Sequence, residues 1–496
     1  MREEQTLIDN VNRYIDPIKK EAYKNIYMLS HPVLNKSPYT SDFHQNMYLN
    51  EPVEKAGRII KFKNILLYFF KNIYFFFLFV FTAILHRLYY RRKVDLSSKT
   101  IVIDSFLLLD RVIKEEKYQE IYFQNIEEIL NAKGYQSVFM PRLYGHHKKV
   151  LRLKKLFTII NTDKRDFLFE YACLSFMDYI KILQFILFYP FNHFGLLQKE
   201  KTMVDRYFNN ALFNSLKEVT FEPYVRYLLG KKLVQKYDNL KILSWCEFQT
   251  MEKNFYKAVN ETNKNITVYG CQFLIQYKMY QSMFINTLDK ELGIAPHKVL
   301  TNGPYYSNQA NQHNGVSLRY KLLYSFDASR RDPKETLVLL SYDISESRSM
   351  LKKLQVLNRP LRIKTHPAVA KKVFEDLMQE GWTFTDTAIY ELFYRADMVF
   401  VAPMSGTALE AVALGIPVII VTDERSIMMH PLCEKGQGKI WDAVFNKDEL
   451  LKVYNILSDY QKEEHCNILE FAAWYKDNFF IEPTEQNILK AFDIIS

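Results

Sequence analysis

The residues best suited to chemistry lie in Pro403-Met404-Ser405-Gly406-Thr407-Ala408-Leu409-Glu410, which runs on into the apolar stretch Pro417–Val421. The pattern predicts a strand end, a small-residue turn, a short helix and a second buried strand. Ser405, Gly406 and Thr407 fall where the helix begins. Free backbone N–H groups and the positive end of the helix favour an anion there. Thr407 and Glu410 are about one turn apart and share a face. A phosphate on the turn, with Glu410 on a neighbouring sugar hydroxyl, would suit a nucleotide-activated donor. The same residues also read as an N-cap leading into a packing helix, since Ser and Thr are good caps.

Other strand ends supply further candidates. Lys364-Thr365-His366-Pro367 follows a predicted strand directly. In a parallel sheet, ligands gather at the carboxyl ends of strands. His366 could donate there to a phosphate oxygen, while Pro367 stiffens the loop and starts the next helix. The run from Ser341 to Arg348 offers hydroxyls and one cation to a phosphate, or is a solvated loop. Trp245-Cys246-Glu247-Phe248-Gln249 places a carboxylate just past an earlier strand. Glu247 could deprotonate an acceptor hydroxyl, or could simply complement a helix N-terminus. Asp104, Asp110, His146 and His147 are alternatives for that role. Gln249, Gln272 and Asn302 also end strands or begin turns, where they could line an acceptor side. The chain has no P-loop, GxSxG elbow, HExxH or metal-ligand cluster. No metal is expected, and no cofactor beyond the donor itself.

The elements that must position these residues alternate. Short apolar strands at Ile101–Phe106, Ser137–Pro141, Leu240–Trp245, Ile266–Gly270 and Lys298–Gly303 alternate with helical patterns. Residues 150–235 read as a helical insertion. Arg330–Glu335 reads as a linker, and a second set of strands follows at Thr336–Ser341, Leu361–Lys364, Met398–Ala402 and Pro417–Val421. Such alternation implies parallel sheets, and two sets imply two Rossmann-like α/β domains facing a cleft. The expected division is a polar segment 1–64, a membrane-associated helix 65–93, a first domain 99–330 and a second domain 335–496. The helices of about 447–496 are expected to pack back across the cleft.

A chain of 496 residues exceeds one ordinary core. Its net charge of +10 suits phosphate-bearing ligands or anionic lipid, and no nucleic-acid-binding module is present. Five scattered cysteines make no framework, which fits a reducing compartment. The first thirty residues are mixed and charged, so no cleavable signal peptide is expected there and the bulk is expected in the cytoplasm. Ile65–Leu85 is apolar and aromatic, is interrupted by Lys71 and Asn72, and ends in His86-Arg87-Leu88-Tyr89-Tyr90-Arg91-Arg92-Lys93. Basic residues on both sides favour a helix lying in the cytoplasmic leaflet over one that spans it.

Taken in order, Trp245-Cys246-Glu247-Phe248-Gln249 with Glu252-Lys253, Gly270-Cys271-Gln272, Asn302-Gly303, His366-Pro367, and Ser405-Gly406-Thr407 with Glu410 resemble bacterial surface-carbohydrate (lipopolysaccharide or capsule) transferases of the GT-B type. The His-Pro pair with a later Ser/Thr turn is similar to inverting transferases that use CMP-activated sugars. CDP-glycerol phosphotransferases share similar pieces. Phe248 and Phe273 stand where the family pattern often has Asn and His. The resemblance implies donor binding in the second domain, acceptor activation by Glu247 in the first, and a glycan or lipid-linked acceptor at the cytoplasmic face of the inner membrane. A CDP-alditol phosphotransferase and a non-catalytic scaffold of the same fold are the alternatives.

Overall fold

A computed structural model gives the fold for all residues except 1, 39–40, 54–57, 95, 97–98, 145–151, 238, 263–264, 308–311, 425–426 and 496. His146 and His147 lie outside the described residues. The strands in chain order are β1 (Thr100–Asp104), β2 (Phe106–Leu108), β3 (Gln136–Phe139), β4 (Arg142–Tyr144), β5 (Asp166–Phe167), β6 (Lys241–Trp245), β7 (Thr267–Gln272), β8 (Lys298–Thr301), β9 (Gln312–Asn314), β10 (Glu335–Leu339), β11 (Leu361–Lys364), β12 (Trp382–Phe384), β13 (Ala396–Val401), β14 (Val418–Val421) and β15 (Trp441–Val444). Every pairing among them is parallel.

The first sheet has the order β5-β3-β1-β6-β7-β8-β9 and the second β12-β11-β10-β13-β14-β15. In each, the chain moves outward in one direction from its first strand, then crosses to the other side. Each sheet therefore has a switch point, between β1 and β6 in the first and between β10 and β13 in the second. Such crevices at the carboxyl ends of strands are where α/β sheets hold ligands. The central strands are buried on both faces, which is why Ile101-Val102-Ile103 and Val418-Ile419-Ile420-Val421 read as unbroken apolar runs. These are two Rossmann-like α/β domains, as the alternation predicts.

Two expected boundaries differ. Residues 1–64 were read as a polar segment. Instead, Arg2–Ala22 forms one amphipathic helix whose Leu7, Val11 and Ile15 enter the core of the first domain. Lys19, on the same helix, donates to Asp289, with both side chains buried. Lys36 donates to Asp16 at 2.9 Å. The apolar residues at i, i+4 and i+8 were sparse enough among charges to pass as surface. At the other end, residues 481–495 belong physically to the first sheet, not the second. Phe492 and Ile488 join the first core, Tyr269 donates to Asp493 at 2.8 Å, and the Ile481 N–H donates to the Asn302 carbonyl at 2.8 Å. The C-terminal helix Glu485–Ala491 thus straps back onto the first domain.

Because residue 15 is fully enclosed by the first core, Ile15→Ala is expected to lower stability by about 2–5 kcal/mol in denaturant unfolding of the full chain. An unchanged midpoint would show that the N-terminal helix is independent of the domain.

Candidate functional site

The site is built on the first sheet's switch point. There Asp104, at the end of β1, is fully buried and holds two arginines. Arg142 grips it with Nε (3.1 Å) and Nη2 (2.9 Å), Arg226 adds a contact of 2.7 Å, and the Ser244 hydroxyl donates at 2.8 Å. Arg142 also pairs with Glu252 and donates to the Trp245 carbonyl at 3.0 Å. Burial pushes the Asp104 carboxyl up, but Arg142 and Arg226 outweigh it and hold the group below its ordinary range. Asp104 is therefore a corrected assignment. It orders the crevice floor from inside and does not face the cleft.

That network sets the loop after β6. Glu252 accepts from the Gln249 N–H at 2.8 Å. Phe248 is buried with φ 55°, a left-handed conformation that costs a residue with a Cβ about 1–2 kcal/mol. The resulting elbow presents Glu247. The Trp245 indole N–H donates to Glu247 Oε1 at 3.1 Å. Burial pushes the Glu247 carboxyl above its ordinary range, the Trp245 hydrogen bond opposes this, and Glu252 adds to the rise.

Arg319 lies within electrostatic reach of Glu247. Sequence reasoning missed it, because the strand before it, Gln312-His313-Asn314, is short and polar and has no apolar run to flag it. The Arg319 side chain is exposed, with its guanidinium 5.4 Å from the ring centres of both Tyr122 and Trp245. It is close enough to favour the ionised forms of both Glu247 and Glu410. One cation thus lies within reach of a carboxylate from each domain.

On the second domain, Glu410 accepts from the Tyr390 hydroxyl at 2.6 Å and is nearly enclosed. Burial pushes its carboxyl up to about 7. Tyr277 lies within electrostatic reach of Glu410, Arg319 and Tyr342, and the Tyr342 ring stands edge-on to His366 at 6.0 Å. His366 Nδ1 accepts from the Ala368 N–H at 3.2 Å, which places the ring proton on Nε2. Partial burial lowers its pKa, so the ring is a neutral donor at pH 7. Electrostatic reach thus links Glu247, Arg319, Glu410, Tyr277 and Tyr342, and the last of these stands beside His366.

The remaining candidates fare differently. Helix Thr407–Ala413 has only seven residues, and Gly406, not a Ser or Thr, holds its N-cap position. The Ser405 and Thr407 hydroxyls bond each other. A Cβ on Gly406 would meet Ile275 of the first domain at 3.0 Å, and Tyr277 donates to the Met404 carbonyl at 2.8 Å. Domain contact therefore accounts for the small residues of this turn. Ser341 caps its own loop, accepting from the Asp343 N–H at 3.0 Å. Arg348 turns away to Asp376 (2.8 Å) and the Val373 carbonyl (2.7 Å), so it does not serve a donor. Pro367 lies in a turn, and the next helix begins only at Lys371.

On the acceptor side, Gln249 bridges Asn35 (2.7 Å) and Tyr280. Gln272 is buried, donating to the Met283 carbonyl at 2.6 Å and accepting from Gln276. The Asn302 carbonyl receives Ile481 and its amide reaches the Leu274 carbonyl at 2.9 Å. Gln272 is corrected to a structural role, since other protein groups take up its polar atoms, whereas Asn302 donates its amide to the protein and keeps a buried Oδ1 without a hydrogen-bond partner. Asp110 pairs with Arg152 at 2.7 Å on the exposed surface. Among the described residues no His, Cys, Asp or Glu cluster could hold a metal ion.

No protein-family model and no curated protein matches the chain. Among solved structures it is similar to the UDP-GlcNAc 2-epimerase of Methanocaldococcus jannaschii, with 10% identity over 80% of this chain and 99% of that one and a TM-score of 0.42. It is similar to MurG of Acinetobacter baumannii at 10% identity over 80% and 99%, with a TM-score of 0.41. It is similar also to the wall teichoic acid polymerase TagF at 10% identity over 88% and 97%, with a TM-score of 0.38. The description of the two domains stands on the strand orders.

The elevated Glu410 carboxyl has a pH consequence. Its folded value of about 7 lies above the ordinary 4.5, so the folded state keeps a proton that the unfolded chain loses. Its contribution to stability is present below about pH 4.5 and is lost as pH rises through about 7. Glu170 and Glu346 are pushed up to about 7 as well, so the effect must be read by difference. Glu410→Gln is expected to gain stability relative to wild type as pH rises from about 5 to about 8. A difference that does not vary with pH in thermal unfolding would refute the assignment.

Proposed function

We propose that the chain is a transferase that moves a sugar from a nucleotide-activated donor to a cell-surface glycan or lipid-linked acceptor. The observation that carries this reading is Arg319, an exposed cation stacked by Tyr122 and Trp245 and within electrostatic reach of Glu247 of the first domain and Glu410 of the second. A donor phosphate entering the cleft would bring its negative charge to the guanidinium, whose fork of N–H groups suits bidentate phosphate binding. His366 Nε2–H supplies a second donor to the leaving phosphate, in a site where positioned donors stabilise developing charge.

Glu247 is the proposed base. Its raised pKa brings it nearer the operating pH, where a carboxylate accepts a proton most effectively. Trp245 fixes one oxygen and leaves the other for the acceptor hydroxyl. The acceptor oxygen attacks the anomeric carbon as Glu247 takes its proton. The bond to the donor phosphate breaks, and in-line displacement inverts that carbon. No metal enters this scheme, since Arg319 and His366 carry the charge. A CMP-sugar is the favoured donor, by resemblance. Transfer of a CDP-activated alditol phosphate would use the same groups, and a donor screen with CMP-, CDP-, UDP- and GDP-linked compounds separates the two. The proposed location is the cytoplasmic face of a bacterial inner membrane.

Glu247→Gln keeps size and hydrogen bonding but cannot accept the proton. Single-turnover transfer is expected to fall about 10²–10⁴-fold with nucleotide affinity within a few-fold of wild type. Arg319→Gln is expected to weaken nucleotide binding by about 1.5–3 kcal/mol in calorimetry. Normal turnover in the first variant would remove the base, and unchanged affinity in the second would remove the phosphate contact.

A further inference from the structure

Helix Arg58–Tyr89 is apolar and long enough to cross a membrane, and it is the only such helix among the described residues. Yet it carries two unlike stripes. Tyr68, Asn72, Phe76, Phe79 and Ala83 recur every three or four residues and are buried against the first domain along most of its length. Leu66, Phe70, Ile73, Phe77, Phe81 and Ile84 form an exposed stripe, with Phe70 at 71% and Phe77 at 67%. The two residues that interrupt the apolar run turn toward the protein. Lys71 donates to the carbonyls of Lys217 (2.9 Å) and Glu218 (3.2 Å). Asn72 donates to the Val219 carbonyl at 3.0 Å and accepts from the Phe221 N–H at 3.1 Å. The middle of the outward stripe is left without charge.

A second helix, Phe176–Phe194, lies beside it. Tyr68 stacks on Tyr189 at 5.9 Å and Phe79 meets Tyr179 at 5.8 Å, so the two helices run antiparallel. This helix also buries one side, through Ile182, Phe185 and Tyr189. It exposes Phe176 (77%), Leu187, Phe188 and Phe191 (73%). The exposed apolar side chains of two adjacent helices thus form one surface, of the kind that marks a membrane or interaction site.

We propose that these two helices together embed in one leaflet of a phospholipid bilayer, both lying in the membrane plane. Charge selects lipid as the occupant. From Arg58 to Val94 the sequence has no acidic residue, while Lys61, Lys63, Arg87, Arg91 and Lys93 cluster at the two ends of the helix. Apolar stripes edged by cations match acyl chains below anionic headgroups. Burial excludes a span, because the stripe from Tyr68 to Ala83 could cross the hydrocarbon only by carrying the domain with it. The inference rests on exposure and charge and is independent of the transfer reading, since its readout is vesicle binding.

Flotation of the full chain with phosphatidylcholine vesicles, with and without phosphatidylglycerol, tests it. Wild type is expected to float, more strongly with the anionic lipid. Phe70→Asp with Phe77→Asp, and separately Phe188→Asp with Phe191→Asp, are each expected to cut partitioning at least about tenfold. Nitroxide labels on Phe70→Cys, Phe77→Cys and Ile84→Cys, each in a Cys466→Ser background, are expected to report one shared depth. A spanning helix would instead stagger the first and last by about 20 Å. Such a stagger overturns the proposal, as does wild-type flotation of the Phe188/Phe191 variant. So does a wild-type chain that stays off vesicles and forms a dimer that the same variants dissociate, because a second copy would then cover the surface.

Discussion

Burying Asp104 with two arginines is the constraint on which the rest of the first domain depends. Moving a carboxylate and a guanidinium out of water costs several kcal/mol per ion, and only close geometry with saturated hydrogen bonds recovers it. Here the fully buried acid receives three nitrogen contacts and a hydroxyl, and Glu252 balances the second positive charge. The four charged groups come from four separate parts of the chain: the end of β1, the start of β4, the helix Glu222–Lys236 and the helix Thr250–Thr262. None can move without leaving a buried charge unpaired. The network therefore fixes the height and tilt of the β6 end. Through Glu252 and the Gln249 N–H it also fixes the elbow on which Glu247 stands. A left-handed Phe248 persists because its surroundings over-determine it.

The second constraint is the contact between domains. Ile275 against Gly406 and Tyr277 on the Met404 carbonyl bring the loop after β7 onto the turn after β13. The strap over residues 481–495 ties the far end of the second domain to the first sheet. An exposed guanidinium, Arg319, lies at this seam within electrostatic reach of a carboxylate from each domain. Arg319 follows the last strand of the first sheet and sits immediately before Tyr320, which packs in the second domain's core. The chain thus places its cation where the two domains meet.

Much of the fold was legible in the sequence, because apolar runs of four to six residues bounded by polar turns can only be buried parallel strands when helical patterns separate them. The site was less legible. Glu247 and His366 stand out in the sequence because both follow strands. The same rule also selected Asp104 and Gln272, whose side chains are taken up by Arg142 and by Gln276, and Asn302, whose amide donates to the Leu274 carbonyl. A polar residue at a strand end looks identical in sequence whether it faces a ligand or another part of the protein. Arg319 and the turn at Gly406 show the converse. The strand before the cation, Gln312-His313-Asn314, is short and polar and carries no apolar run to flag it, and the glycine that reads as a phosphate turn is also closely approached by Ile275 from the other domain.

The apolar helix shows the same limit from another side. Lys71 and Asn72 read as breaks in a membrane segment, and a one-dimensional pattern cannot say otherwise. In three dimensions they face inward, where unpaired carbonyls of residues 217–219 need donors. What looked like a weakened membrane signal is a helix divided lengthwise, polar groups satisfied on its protein side and aromatic side chains left on its outer side. That division also explains the abundance of aromatics. With 37 Phe and 34 Tyr, the chain has rings to fill both its cores and its outward stripe, and an amphipathic surface of this kind is served by large apolar groups whose burial is worth most per residue. Because the inner stripe of that helix packs on the same domain that carries the Asp104 network, the outward stripe and the crevice are parts of one rigid body. Any surface on which the two helices rest therefore fixes the orientation of Glu247 with respect to it.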